Sequence, residues 1–439
     1  MEKYEGLHFY INVHNFYRVM LAEEESTQKI THSIHALDVL FSSIELFGKK
    51  YYPKTFVVEK ITGSRLHLYV KDEIIKAYSV AMSVIHYASC LSKKLIEIER
   101  YSKLIPFTLQ VGASYGGFYE FEFKRKDADE LTTIGYAANY AAKLQSISNE
   151  GYLSISEDLW TILSKEERQQ YIKKSDKRIT KYGQTCYYTT GIGTLTTSMV
   201  FDEDLKQSYS IADAVNRKEV KFTTAKAKID FRNLTVLDGK KVNGIPMYAD
   251  IRGFTQQFDS DDANLEEMAE KTQDILTTMY ELVEQNHGLH VQFQGDREFA
   301  LFHDYEDYSC CLDAVTAGMR IIDAVKQYSV SVGVGESMGS LFAVRLGARG
   351  EKDNLLFGET VLEADRNEDE KAQENQLVIS RSIYDTIKKI NPSLAEQFSP
   401  YVGMCYVTTC GYRTYVDKVQ QRHLQRNNQH SNYNGAWGK

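Results

Sequence analysis

One succession of landmarks is written twice along the chain, which restricts it to folds built as two copies of one unit. YINVHNF (Tyr10 to Phe16) resembles YADIRGF (Tyr248 to Phe254), each a strand running into a turn. A helical pattern follows both. Ile30, Ile34, Leu37, Phe41 and Ile44 precede Gly48, and Leu265, Met268, Ile275, Met279 and Leu282 precede Gly288 at a C-cap position. Two hairpin patterns come next, TFVVEKITGSRLHLYV and LHVQFQGDREFALF, with β-favouring residues on both sides of a glycine and a polar residue. Helical stretches from Ile74 to Arg100 and from Asp307 to Gln327, strands LQVGASYGG and VSVGVGESMGS, and strand-to-helix segments TTIGYAANYAAKL and LLFGETVLEADRN complete the parallel. Asn12 and Ser64 stand 52 residues apart, Asp250 and Asp296 46 apart.

A chain of 439 residues exceeds the usual size of one core. The expected organisation is therefore two α/β domains of one fold, at 1–190 and 241–416, each in the order strand, helix, hairpin, helix, strand, helix, strand. Residues 191–240 read as a polar connector with some strand character, and 417–439, rich in Asn, Gln and His, as a disordered tail.

With 43% hydrophobic residues, two cores can be filled, and a net charge of −8 argues against a duplex-DNA binder while leaving room for a small anionic ligand. Six cysteines without a CxxC pair suggest a reducing, cytoplasmic setting. No apolar leader and no uninterrupted run near the roughly 18 to 20 residues of a bilayer span are seen, so no membrane is expected. The eleven histidines show no metal-ligand spacing.

Only the second half places acids on both turns, Asp250 after VNGIPMYAD and Asp296 in QGDREF. Singly, each also suits an ordinary turn. The first half keeps the turns with Asn12 and Ser64, so the architecture itself does not demand carboxylates there. If the two strands are neighbours, both acids reach one spot, and two oxygen ligands completed by water and phosphate suit Mg²⁺ or Mn²⁺, as in two-metal sites.

On these motifs the chain resembles the class III nucleotidyl cyclases, the adenylate and guanylate cyclase family. YADIRGFT matches the strand with the first metal aspartate, QGDREFALF the hairpin with the second, and GARGEKDNLLFGETVLEADR the arginine turn, dimerisation arm and following helix. The resemblance implies an α+β, ferredoxin-like cyclase fold in two tandem domains that pair within the chain. It implies two metal ions held by Asp250, Asp296 and the carbonyl of Ile251. Base-reading falls to Lys60 and Thr132, ribose and transition-state contacts to Asn139 and Lys143, and the triphosphate to Arg349 and Lys181. The mirror positions Gln292, Leu355 and Leu362 lack the required chemistry, and only Arg366 survives there. Lys143 replaces the family's arginine, offering a point charge in place of a planar fork.

The implied reaction is attack of a ribose 3′-hydroxyl on the α-phosphorus, giving a 3′,5′-cyclic monophosphate and pyrophosphate. Lysine donates and a threonine hydroxyl can accept, so Lys60 and Thr132 favour a base edge with an acceptor beside an amine, the pattern of adenine and cytosine. The bare double-cyclase layout further resembles the bacterial pyrimidine cyclases of Pycsar antiphage systems, whose products activate a separate effector. CTP is thus the first expectation, ATP the second, since ordinary adenylate cyclases carry the same Lys and Thr pair, and UTP the third. A non-catalytic nucleotide sensor and a palm-like nucleotidyl transferase are the competing classes. Neither nucleic acid nor membrane is an expected partner.

Overall fold

The computed structural model describes residues 2–27, 30–123, 130–195, 199–215, 221–253, 265–347 and 352–421. In the first half the strands are β1 (Glu2–Val13), β2 (Phe56–Thr62), β3 (Arg65–Val70), β4 (Leu109–Phe123), β5 (Glu130–Ile134), β6 (Tyr152–Ile155), β7 (Ile172–Lys174) and β8 (Tyr187–Gly191). They form a sheet in the order β2-β3-β1-β4-β6-β8-β7, with β5 paired to β4. The second half has β9 (Lys221–Thr224), β10 (Asp238–Ile251), β11 (Leu289–Phe293), β12 (Arg297–His303), β13 (Val332–Glu336), β14 (Gly339–Leu346), β15 (Asp353–Phe357), β16 (Gln376–Ile379), β17 (Ser399–Pro400) and β18 (Tyr406–Thr408). Their order is β11-β12-β10-β13-β16-β18-β17, with β14 bridging β10 and β15 and β9 on β10.

Register makes the repeat physical. Asn12 lies opposite Arg65 and Gln110, and Asp250 opposite Arg297 and Gly333. Alternation along β1 sends Leu7, Phe9, Ile11 and Val13, all wholly buried, into one core and leaves His8, Tyr10 and Asn12 on the other face. Along β10, Ile245, Met247, Ala249 and Ile251 do the same and leave Tyr248 and Asp250 opposite. Helices Thr31–Tyr51 and Ile74–Lys94 cover the first core, and Leu265–Gln285 and Cys311–Val325 the second.

Several boundaries differ from the sequence reading. Gly48 lies inside its helix, which runs on to Tyr51. The helix from Ile74 ends at Lys94 and gives way to short 3-10 turns through Tyr101. At the other expected C-cap it is His287 that takes the left-handed conformation, with φ 60°, while Gly288 is dictated by packing: a Cβ there would lie 2.7 Å from the Phe302 ring. Ile74–Glu97 is long and apolar enough to cross a bilayer by length and composition, yet Ala77, Ala81, Val84, Ile85, Ala88 and Leu91 on it are wholly buried in the first core.

The connector is more than a polar strap. Residues Asp202–Val215 form a helix that buries Leu205 and Ala212, with Phe201 just before it, in the first core. Asp204 accepts from Lys50 Nζ at 2.8 Å and Tyr51 Oη at 2.9 Å, and Ser208 bonds Tyr87 Oη at 2.7 Å. Its many charges mask a short apolar stripe, which is why composition alone reads it as a linker.

The two halves exchange arms. Val344, Leu346, Leu355 and Phe357 of the second sheet belong to the first core, where Phe357 meets Phe16 at 5.3 Å between rings, and Ile134 of the first sheet belongs to the second core. Burying a side chain of this size stabilises by about 1.5–3 kcal/mol, so the pairing of the halves rests on core-like contacts.

Candidate active site

Each hairpin turns on a glycine with positive φ, Gly63 at 61° and Gly295 at 70°, a backbone that side chains rarely tolerate. The next residue, Ser64 or Asp296, then sits at the turn beside the end of the neighbouring central strand. Asp250 is paired in register with Arg297, adjacent to Asp296. Burial pushes the Asp250 carboxyl up to about 8, and the charge of Asp296 adds to the shift. Two acids that resist sharing negative charge are what a bound cation would relieve. The donors Asp250, Asp296 and the Ile251 carbonyl are hard oxygens, so the residues present fit Mg²⁺ or Mn²⁺.

In the first half the corresponding pair is neutral and satisfies itself. Ser64 Oγ donates to Asn12 Oδ1 at 3.0 Å, and Asn12 Nδ2 donates to Gln110 Oε1 at 3.1 Å.

A cavity of about 720 Å³ between the halves is lined by Asp250, Ile251 and Asp296 from one side and by Asn139 and Lys143 from the other. Asn139 and Lys143 are four residues apart on helix Tyr136–Ile147 and so share a face. Asn12, Ser64 and Leu362 line the same cavity, which therefore spans both the Asp250–Asp296 pair and the Asn12–Ser64 pair. Lys181 lies in the helical turn Lys177–Tyr182, whose Tyr182 reaches the cavity wall. Arg349 lies outside the described residues. Arg366 is on an exposed face, its Nε donating to the Leu362 carbonyl at 3.3 Å.

Lys60 and Thr132 are brought together, Nζ to Oγ1 at 2.8 Å, but they do not line the cavity. Both are buried, and Lys60 also donates to the Phe293 carbonyl at 2.7 Å and lies 3.3 Å from Glu130 Oε1. Lys60 and Thr132 thus face the junction of the two halves, with hydrogen bonds already made there.

Residues 241–421 match the family described as Adenylate and Guanylate cyclase catalytic domain. The second half is thus similar to that catalytic domain. Over the whole chain, a class III adenylyl cyclase-like ATP-binding protein from Pseudomonas aeruginosa has the same fold, with a TM-score of 0.73 at 16% identity, covering 95% of this chain and 90% of that one. The adenylyl cyclase CyaB from P. aeruginosa matches at 19% identity over 39% of this chain and 94% of its own, TM-score 0.34. A guanylate cyclase domain from Catenaria anguillulae in complex with GTP matches at 20% over 38% and 96%, TM-score 0.33. No curated protein matches the chain in sequence. The fold is the tandem cyclase architecture that the resemblance implies, built on the two α/β units expected from the repeat.

Around Asp250 and Asp296 stands a charge network that sequence reasoning missed. Arg252 Nη1 donates to Asp250 Oδ2 at 3.2 Å, and its Nη2 lies 2.7 Å from Glu368 Oε1, close enough for an ion pair though not aligned as a hydrogen bond. Arg297 pairs with Asp365 at 2.6 Å and Glu368 at 2.7 Å, and its guanidinium lies 4.0 Å over the Tyr248 ring. Gly333 leaves the room Arg252 occupies, since a Cβ there would sit 1.9 Å from Nη2. The signal was available in part: Arg252 follows Asp250 by two residues and Arg297 follows Asp296 directly.

Proposed function

We propose that the protein is a nucleotide cyclase with one working site, converting CTP to 3′,5′-cyclic CMP and pyrophosphate. The observation that carries the reading is one cavity lined by Asp250 and Asp296 of one half and by Asn139 and Lys143 of the other, opposed to a neutral, self-bonded Asn12 and Ser64 pair. Cyclisation of a nucleoside triphosphate is mainly positioning and charge stabilisation, which such a set supplies without a dedicated base.

Asp250, Asp296 and the Ile251 carbonyl would hold two Mn²⁺ or Mg²⁺ ions. Such ions, when bound, lower the pKa of the attacking 3′-hydroxyl and stabilise the leaving oxyanions. Asn139 orients the ribose through its amide, and Lys143 places a positive charge near the α-phosphate. Arg349 and Lys181 take the remaining phosphates. Lys60 donates to the ring nitrogen and Thr132 accepts from the exocyclic amine of the base, once the base replaces the Phe293 carbonyl as a partner of Lys60.

The choice of CTP is supported by this donor and acceptor pair and by the resemblance to Pycsar cyclases, which also supports a cytoplasmic second messenger acting on a separate effector in antiphage defence. ATP presents the same edge, and the P. aeruginosa neighbour is described as an ATP-binding protein, which keeps adenylate cyclase as the second reading. UTP stands third, on the resemblance alone. That same description suits a sensor without turnover, a reading that the intact acid pair disfavours. Incubation of the protein with Mn²⁺ and each of the four triphosphates, followed by chromatography, tests the proposal. A cyclic product from CTP supports it, one from ATP alone moves it to the second reading, and none from any nucleotide ends the enzyme reading.

A further inference from the structure

Glu130, the first residue of β5, extends from the first half into the second. Its Oε1 accepts from the Phe293 N–H at 2.7 Å and lies 3.3 Å from Lys60 Nζ, while Oε2 lies 3.2 Å from His290 Nε2. The other ring nitrogen of His290 lies 2.8 and 2.9 Å from the two oxygens of Glu298, itself wholly buried. Although burial opposes charge on the His290 ring, a carboxylate at each nitrogen raises its pKa and favours the imidazolium form. One carboxylate is thereby shared among a backbone N–H, the His290 ring and the ammonium of Lys60.

The opposite side of the pseudo-two-fold axis shows what a simple clasp requires. There Asp353, the first residue of β15, accepts from the Ile61 N–H at 2.7 Å. Its half offers Gln292 in place of Lys60, and the register positions of His290 and Glu298 are filled in the first half by Val58 and Leu66. The backbone contact is therefore common to both sides. The relay from Glu298 through His290 to Glu130 exists only where Lys60 stands.

We propose that Glu130 is a positioning residue for base recognition. Its carboxylate fixes the place of the Lys60 ammonium, and the His290–Glu298 pair fixes the carboxylate. The inference rests on the reading of Lys60 as the base-contacting lysine. An ammonium with three rotatable donors on a flexible stem distinguishes base edges only if it is held, and a charge-assisted bond to a carboxylate that is itself anchored does this.

The test uses full-length protein and the non-cyclisable α,β-methylene analogues of CTP, ATP, GTP and UTP, with affinities measured by calorimetry in Mn²⁺. Glu130→Gln is expected to shrink the ratio between the best-bound analogue and the GTP analogue by about tenfold or more, the worth of one charge-assisted bond. Asp353→Asn is expected to keep the ranking and the ratio. In NMR, the His290 ring should titrate at lower pH in Glu130→Gln, because one of the two carboxylates that raise it is gone. Equal affinity changes for all four analogues in both variants would make Glu130 a clasp only and overturn the proposal, as would a wild type that binds all four alike. If Glu130→Gln does not fold, Glu130→Asp, which withdraws the charge by one methylene, carries the same test with the same outcomes. Because binding is read without turnover, a wild type that ranks the analogues but makes no cyclic product refutes the cyclase reading and leaves this one standing.

Discussion

Lys60 and Gln292 occupy the same position of the repeat and reach across the junction in mirrored fashion. Lys60 Nζ donates to the Phe293 carbonyl at 2.7 Å, and Gln292 Nε2 donates to the Ile61 carbonyl at 3.2 Å. Both side chains make the contact that joins the halves, and only one brings a positive charge. The symmetric part of the interaction belongs to assembly, and the difference between lysine and glutamine is what the proposed base recognition by Lys60 would use.

That division predicts the effect of the acids. Asp250→Ala or Asp296→Ala should reduce cyclic-nucleotide formation by about a thousandfold or more, since each removes a carboxylate proposed to hold the metal ions. Ser64→Ala loses only a bond to Asn12, an exchange of about 0.5–1.5 kcal/mol in stability, and should leave turnover within about twofold. Parallel turnover and thermal-melting measurements on the three variants check this. A Ser64→Ala variant as inactive as the others would contradict a single working site.

Lys60→Met keeps the length of the side chain and removes its charge. Glu130, Thr132 and the Phe293 carbonyl then lose a shared donor, and turnover of the preferred triphosphate should fall at least about tenfold. Gln292→Met, its mirror, should cost stability through the Ile61 and Asn354 carbonyls and spare the ranking of nucleotides. Steady-state kinetics with all four triphosphates distinguish the two.

Glu336 gives a pH dependence of stability away from the proposed active site. It is wholly buried on β13, neither carboxylate oxygen has a hydrogen-bond partner among the described residues, and burial pushes it from 4.5 up to about 8. A carboxyl raised in the folded state contributes stability fully below about 4.5 and loses it as pH rises to about 8. The loss is on the order of a few kcal/mol. Urea midpoints should therefore fall more steeply over that interval in wild type than in Glu336→Gln, which does not ionise. Identical pH profiles for the two proteins would refute the assignment.

The connector helix should behave as core. Leu205→Ala is expected to destabilise by about 2–5 kcal/mol, as for a buried leucine, whereas a substitution in a solvated strap would change stability by less than about 0.5 kcal/mol. Chemical denaturation monitored by circular dichroism measures the difference.

Much of this was written in local pattern. Strand alternation and helical spacing are short-range signals, so the two halves, their hairpins and the unequal acids at Asp250 and Asp296 could be read from the repeat. The helix Asp202–Val215 could not, because its apolar face is narrow and its partners, Lys50, Tyr51 and Tyr87, lie more than a hundred residues away. Arg252 and Arg297 were visible beside the acids, but their shared partner Glu368 was not.

The sequence by itself determined that two copies of one unit exist and that only the second keeps a carboxylate at both turns, since turn residues and alternation act within a few positions. The tertiary structure alone decided how the copies complete one another. The exchange of arms, the seating of Lys60 against the Phe293 carbonyl, and the contact of Glu130 with His290 across 160 residues all depend on packing one sheet against another. Long-range contacts of that kind leave no period in the chain. They arise because buried polar groups in a low-dielectric junction must find partners wherever the fold provides them.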